Sequence, residues 1–143
     1  GGGGCAVVLV FFEWSGAHRA LHSLPTRRAA DLAGGWQDLP VPVIAAVHGV
    51  AYGGGFQIAM GADLRVVAPD ARLSVMEVKW GLVPDMSATQ TLKNLVRLDI
   101  AKELAFTGRI ISGSEAAELG LATQLSETPL EAAMEIAMEI ASK

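Results

Sequence analysis

The feature that most constrains the fold is a short, mostly apolar, valine-rich run, Val41 to Val47, bounded by Pro40 and Gly49 and followed by Gly49-Val50-Ala51-Tyr52-Gly53-Gly54-Gly55. Such a run reads as a strand buried on both faces. The glycines then lead into a short apolar helix, Phe56 to Ala62. Three consecutive glycines between a buried strand and a helix allow positive φ angles and close approach of the backbone to a ligand, because no Cβ intervenes. The helix start presents unpaired N–H groups and a positive dipole end, able to hold a phosphate or to stabilise an oxyanion. Phosphate is the poorer choice, since the sequence has no G-x-x-x-x-G-K-[ST] and Gly49 to Gly53 does not fit G-x-G-x-x-G. Taken alone, the triple glycine also reads as a plain structural turn.

The rest of the chain continues as α/β. Leu64 to Val67 and Arg72 to Val75 are strand candidates around the turn Ala68-Pro69-Asp70-Ala71. A helix opens at Pro84 or Asp85 and runs to about Leu95, and another spans Ile100 to Phe106 and stops at Gly108. Two capping boxes follow: Ser112 with Glu115 starts a short helix ending at Gly120, and Thr128-Pro129-Leu130-Glu131 starts the last one. That helix sets Leu130, Ala133, Met134, Ala137, Met138 and Ala141 on one face, with both methionines read as core filler.

Composition narrows the class. The chain has 143 residues, 51% hydrophobic and 18% charged, with a mean hydropathy of +0.38, which suits one folded domain and excludes disorder. At this length about two-thirds of the unfolded surface is buried on folding, so the apolar excess implies cover from a partner chain or from further sequence. The longest apolar run, Cys5 to Phe12, falls far short of the roughly 20 residues of a membrane-spanning helix. A net charge of −4 without runs of like charge argues against nucleic acid as a partner. The single cysteine, Cys5, and three scattered histidines give neither an internal disulfide nor metal-ligand spacing, and make a reducing cytoplasm the default compartment.

Residues 1 to 35 differ from the remainder. They carry three arginines against two acids, whereas residues 36 to 143 carry eight basic and thirteen acidic groups. No charged start or small-residue cleavage site marks a secretory signal. The stretch Phe11 to Leu32 resembles a translated DNA-sequencing adapter, departing from it at several alanines, so residues 1 to 35 read as a leader outside the native domain. The other reading is a genuine strand at residues 6 to 12, a loop and a short helix near residues 26 to 33.

From about Trp36 onward the sequence carries Leu39-Pro40-Val41-Pro42-Val43-Ile44-Ala45-Ala46-Val47-His48-Gly49-Val50-Ala51-Tyr52-Gly53-Gly54-Gly55, then Ala62-Asp63-Leu64-Arg65, Glu77-Val78-Lys79-Trp80-Gly81-Leu82-Val83-Pro84 and Thr107-Gly108-Arg109-Ile110-Ile111-Ser112, with Ala116 and Gly120-Leu121. In this order and continuity the motifs closely resemble the crotonase family of enoyl-CoA hydratases and isomerases. The resemblance implies an α/β fold of repeated ββα turns forming a superhelix, here incomplete at both ends, with residues 36 to 143 as a partial acyl-CoA-binding catalytic domain. It implies a reaction through a thioester enolate, with no metal or redox cofactor and with coenzyme A entering as part of the substrate. It also implies a homo-oligomer, a trimer or a pair of trimers. One enolate-oxygen donor of the family falls on Gly54, flanked by Gly53 and Gly55; the other lies in an upstream segment that nothing before Trp36 resembles.

The family's acid-base positions correspond to Gln57 and Glu77. Glu77, set among Val75, Met76, Val78 and Trp80, is expected to have its charged form disfavoured by desolvation, raising its pKa; apart from the resemblance it reads as a strand-end acid paired with Lys79 or Arg72. Family hydratases carry glutamate where this chain has Gln57, and an amide cannot act as a general base at ordinary pH. Isomerisation of a double bond is therefore expected over hydration. Gln57 can still position water or substrate, or be a polar residue on a first helical turn. Asp85 matches the further catalytic acid of the family's dienoyl-CoA isomerases, although Gln57 departs from that subgroup; equally, Asp85 is an N-cap with Met86 as the first helical residue. His48 ends the buried strand without a role. The rival to an active enzyme is an inactive acyl-CoA-binding or structural fragment, with a phosphate-binding module a distant third.

Overall fold

In the computed structural model the described residues are 8–13 and 35–143. The short helix expected near 26–33, and most of the adapter-like stretch, lie outside them. Strand β1, Val8–Glu13, pairs in parallel with β2, Val43–His48. β2 matches the expected buried strand: Val43 to Val47 are at most 1% exposed, and His48 emerges at its end. Val43, Ala45 and Val47 face the main core, whereas Ile44 and Ala46 face a second layer with Val66, Ala133 and Ala137. Alternation across the pleat thus divides one apolar run between two cores. Full burial of a side chain such as Ile44 contributes about 2 kcal/mol.

At Gly49, where φ is +70°, the chain turns out of the first sheet. It enters a second sheet as β3, Val50–Tyr52, a strand within a segment read from sequence as loop. Helix α1 spans Gly54–Gly61, so Gly54 and Gly55 belong to the helix itself and Gly53 is its N-cap. The next pair repeats the pattern: β4, Leu64–Val67, joins the first sheet beside β2, and β5, Arg72–Ser74, joins the second beside β3. The first sheet runs β1-β2-β4-β7 and the second β3-β5-β6, where β6 is Ile111–Ser112 and β7 is Gln124–Leu125. The pairings are parallel except β5 with β6.

The segment Ala62-Asp63-Leu64-Arg65 serves the architecture. Asp63 Oδ2 accepts from Val43 N–H at 2.8 Å, and Asp63 N–H donates to Val43 O at 2.9 Å, tying the start of β4 to β2. Arg65 is 5% exposed, and its guanidinium donates to the carbonyls of Ala62 and Leu121. Burial lowers its pKa, with Asp63 opposing the shift. Carbonyl acceptors compensate for part of the desolvation of this cation.

Three helix expectations are corrected. The helix expected from Pro84 or Asp85 begins at Ala88 (α2, Ala88–Leu95), because Ser87 adopts φ +72° at its N-cap. Asp85 is therefore not an N-cap, nor is Met86 the first helical residue. Helix α3 is Leu98–Thr107, closed as expected by Gly108 in the left-handed region, followed by α4, Gly113–Leu119, and α5, Pro129–Ala141. The capping residue Ser112 behaves as expected, its Oγ accepting from Glu115 N–H at 3.1 Å. Ser112→Ala should cost about 1 kcal/mol of stability, read as a lowered urea midpoint at unchanged slope.

At α5, Pro129 occupies the first turn as expected, but the Thr128 side chain makes no cap; instead Ser126 Oγ accepts from Thr128 N–H at 3.1 Å. The apolar face is also rotated from the expected one. Ala133 and Ala137 are buried, with Ala132, Ile136 and Ile140 packed beside them, whereas Leu130, Met134 and Met138 are 41%, 41% and 60% exposed. The methionines are not core filler. Alanine contacts let the helix lie close to the sheet at Ile44, Ala46 and Val66.

Candidate active site

The site is assembled by β3, the start of α1 and the turn after β5. Gly53 has φ +53°; its N–H donates to Ser74 O at 3.0 Å and its carbonyl accepts from Gln57 N–H at 3.0 Å. A Cβ at Gly53 would lie 3.4 Å from Glu77 Oε1, so glycine lets the loop backbone pass directly against the carboxylate. The first three helical amides, those of Gly54, Gly55 and Phe56, have no acceptor within a helix by geometry, and no side chain caps this end. Positive dipole density therefore gathers beside Glu77.

Glu77 sits in a 3-10 turn, Met76–Trp80, that the sequence reading assigned to no element. The turn is closed by Gly81 at φ +66° and by the Leu82 N–H bond to Glu77 O at 3.1 Å. The Glu77 side chain is buried, as expected, but two of the four neighbours expected to cover it do not. Val78 and Trp80 point outward, 42% and 73% exposed, and Glu77 instead faces Gly53 and Gln57. Its Oε1 accepts from Gln57 Nε2 at 2.5 Å, while Oε2 is buried without a hydrogen-bond partner among the described residues. Desolvation pushes the Glu77 pKa up; a backbone hydrogen bond and the Gln57 amide oppose this, and the charge of Asp85 adds to the rise. Among the ion pairs of the described residues none involves Glu77, so pairing with Lys79 or Arg72 is not its role.

Gly53, Gly54, Gln57 and Glu77 are thus brought together. Gly55 follows on the same turn, and Asp85, exposed on the segment before α2, reaches Glu77 through its charge. Two contributors were not legible. Ala88 N–H donates to Gln57 Oε1 at 3.2 Å, and Ser74 links the glycine loop to Gly108, whose carbonyl accepts from Ser74 Oγ at 2.9 Å. Neither carries a local pattern, because both join segments far apart in sequence. Chemically, a desolvated carboxyl with one free oxygen beside a helix N-terminus is equipped to move a proton while negative charge develops nearby. No group of three or more His, Cys, Asp or Glu among the described residues could hold a metal ion.

The family model described as enoyl-CoA hydratase/isomerase matches residues 15–143. The chain belongs to the enoyl-CoA hydratase/isomerase family. Its relatives in the family include the short-chain-enoyl-CoA hydratase of Clostridium acetobutylicum, 45% identical over 105 residues that make up 73% of this chain and 40% of that protein. The mitochondrial methylglutaconyl-CoA hydratase of Mus musculus is 40% identical over 90 residues, 63% of this chain and 29% of that protein. Among solved structures, a putative enoyl-CoA hydratase from Streptomyces coelicolor A3(2) superposes with a TM-score of 0.78 at 34% identity, covering 87% of this chain and 49% of that one. The chain thus spans well under half the length of these two curated relatives. The fold is the crotonase-like α/β fold that the motifs implied.

Proposed function

We propose that the enzyme containing this chain shifts a carbon–carbon double bond in an acyl-CoA thioester through an oxyanion-stabilised enolate. Residues 36–143 supply part of its catalytic domain. In this reading Glu77 takes a proton from the carbon next to the thioester carbonyl. The electron pair left behind spreads to the carbonyl oxygen, where the Gly54 N–H and the dipole of α1 meet the charge. Glu77 then returns the proton two carbons further along the chain. Asp85 serves as a second acid whose charge keeps the Glu77 proton within easy exchange. Gly53 and Gly55 shape the loop that receives the thioester, and the second oxyanion donor lies outside the family motifs carried here.

One observation carries the preference for isomerisation: Gln57 places an amide nitrogen, not a second carboxylate, against Glu77. Addition of water in this family's manner needs two carboxyl groups, and an amide supplies no base. The enzyme works as a homo-oligomer in the cytoplasm; the oligomer is supported by the exposed apolar side chains of Trp80, Val83 and Phe106.

The test offers the full-length protein a 3-enoyl-CoA and, separately, a 2-enoyl-CoA. Conversion of the first to the conjugated thioester, followed by ultraviolet absorbance, should outpace hydration of the second. The opposite order would overturn the preference, and heat of binding without any turnover would favour the inactive binding reading.

A further inference from the structure

Gln57 is 1% exposed, and its side chain is held at both ends. Its Oε1 accepts from the backbone N–H of Ala88, the first residue of α2, at 3.2 Å. A backbone N–H can only donate, so this contact settles which way round the amide lies and turns Nε2 toward Glu77. There Nε2 donates to Oε1 at 2.5 Å, while Oε2 has no hydrogen-bond partner among the described residues. We propose that Gln57 is a positioning residue that commits Oε1 of Glu77 to a fixed hydrogen bond and so assigns proton transfer to Oε2.

The inference rests on the reading of Glu77 as proton shuttle and adds to it which oxygen acts. A carboxylate free to rotate presents either oxygen, and time spent in the wrong orientation is lost to catalysis. An amide anchored on the first residue of α2 removes that freedom. Because Nε2 donates, it also favours the ionised form of Glu77, the form needed to accept a proton. An ionised glutamate at position 57, with one oxygen taken by Ala88 N–H, would offer Glu77 an acceptor and a like charge instead.

Among the described residues, few other charges surround the pair. Asp85 acts on Glu77 from the preceding loop, and Lys79 lies on the same 3-10 turn. Helix α3, packed against that turn, carries Asp99 paired to Arg97, Glu103 paired to Arg109, and Lys102. Helix α1 has no titratable side chain, and α2 has Lys93, which donates to Gln90.

The experiment measures kcat and KM of the full-length protein on a 3-enoyl-CoA across pH for wild type, Gln57→Leu, Gln57→Glu and Glu77→Gln. Gln57→Leu should lower kcat about tenfold, leave KM within about twofold, and move the acidic limb of the kcat profile up by about one pH unit, since a donor to the carboxylate is gone. Gln57→Glu, nearly the same shape and so the safer variant for folding, should move that limb further up. A profile unmoved in both variants overturns the inference. Glu77→Gln separates the two claims: if it retains activity the shuttle reading fails, whereas if it is inactive and the Gln57 variants keep the wild-type profile, only the positioning role of Gln57 fails.

Discussion

Replacing Glu77 with glutamine in the full-length protein should lower turnover of a 3-enoyl-CoA by about 100- to 10,000-fold while leaving the fold intact. The substitution keeps shape and volume and removes only the ability to take up a proton. Its effect on stability should run opposite to its effect on activity. Burial raises the pKa of Glu77 in the folded state, so ionising this carboxyl, one oxygen of which has no hydrogen-bond partner among the described residues, costs more in the folded than in the unfolded chain. A group whose folded pKa is raised stabilises fully below its unfolded pKa and loses that contribution as pH climbs through the folded value. The wild type should therefore melt at or below the Tm of Glu77→Gln at pH 7. It should gain on the variant as the pH falls from neutral through the raised folded value, and the gain should be complete once the pH is below the ordinary carboxylate range. Paired activity and melting curves over pH check both halves; a variant that is slow because it is unfolded would refute the assignment of a chemical role.

Gly113→Ala should destabilise the protein by about 3 kcal/mol or more. A Cβ at this position would lie 1.9 Å from the carbonyl oxygen of Ala68 and 2.9 Å from its carbonyl carbon, so a main-chain segment would have to move. That segment is doubly held: Ala68 N–H donates to Val47 O at 2.9 Å, and Gly113 N–H donates to Ala71 O at 2.8 Å. Relief by rotating a side chain is thus unavailable. Gly55→Ala provides the contrast, because a Cβ there meets nothing within 4 Å and Gly55 lies in a helix; its stability should stay within about 1 kcal/mol of wild type. Urea unfolding of both variants measures the difference, and equal midpoints would show that the Ala68 contact yields readily.

How much of this was legible depended on whether a feature is written locally. The β2 strand was, because five consecutive buried residues leave a continuous apolar run. The Ser112 cap and the glycine that closes α3 were, since caps depend on one or two neighbouring residues. Strands β6 and β7, with two residues each, are too short for any periodicity to register. The face of α5 was misread because hydrophobicity ranks Leu130 and Met134 above Ala133 and Ala137, whereas close approach to a sheet selects the small residues. At the site, residue types and the burial of Glu77 could be read, the second with Val78 and Trp80 wrongly placed over it. The Gln57 to Ala88 bond, spanning 31 positions, could not, nor could the left-handed Ser87 that delays α2.

The alternation of strands between the two sheets bears on how the molecule opens. Successive turns of the chain each lay one strand on each sheet, β2 with β3 and then β4 with β5, so cohesion accrues between adjacent turns much as in a repeat array. In such an array the end turns fray first, and strands flanked on both sides open only in larger cooperative events. β5 is flanked by β3 and β6, and Glu77 follows it by three residues. The carboxylate is thereby hung from a strand paired on both sides, where fraying from an edge disturbs its alignment with the glycine loop less than it would on an edge strand.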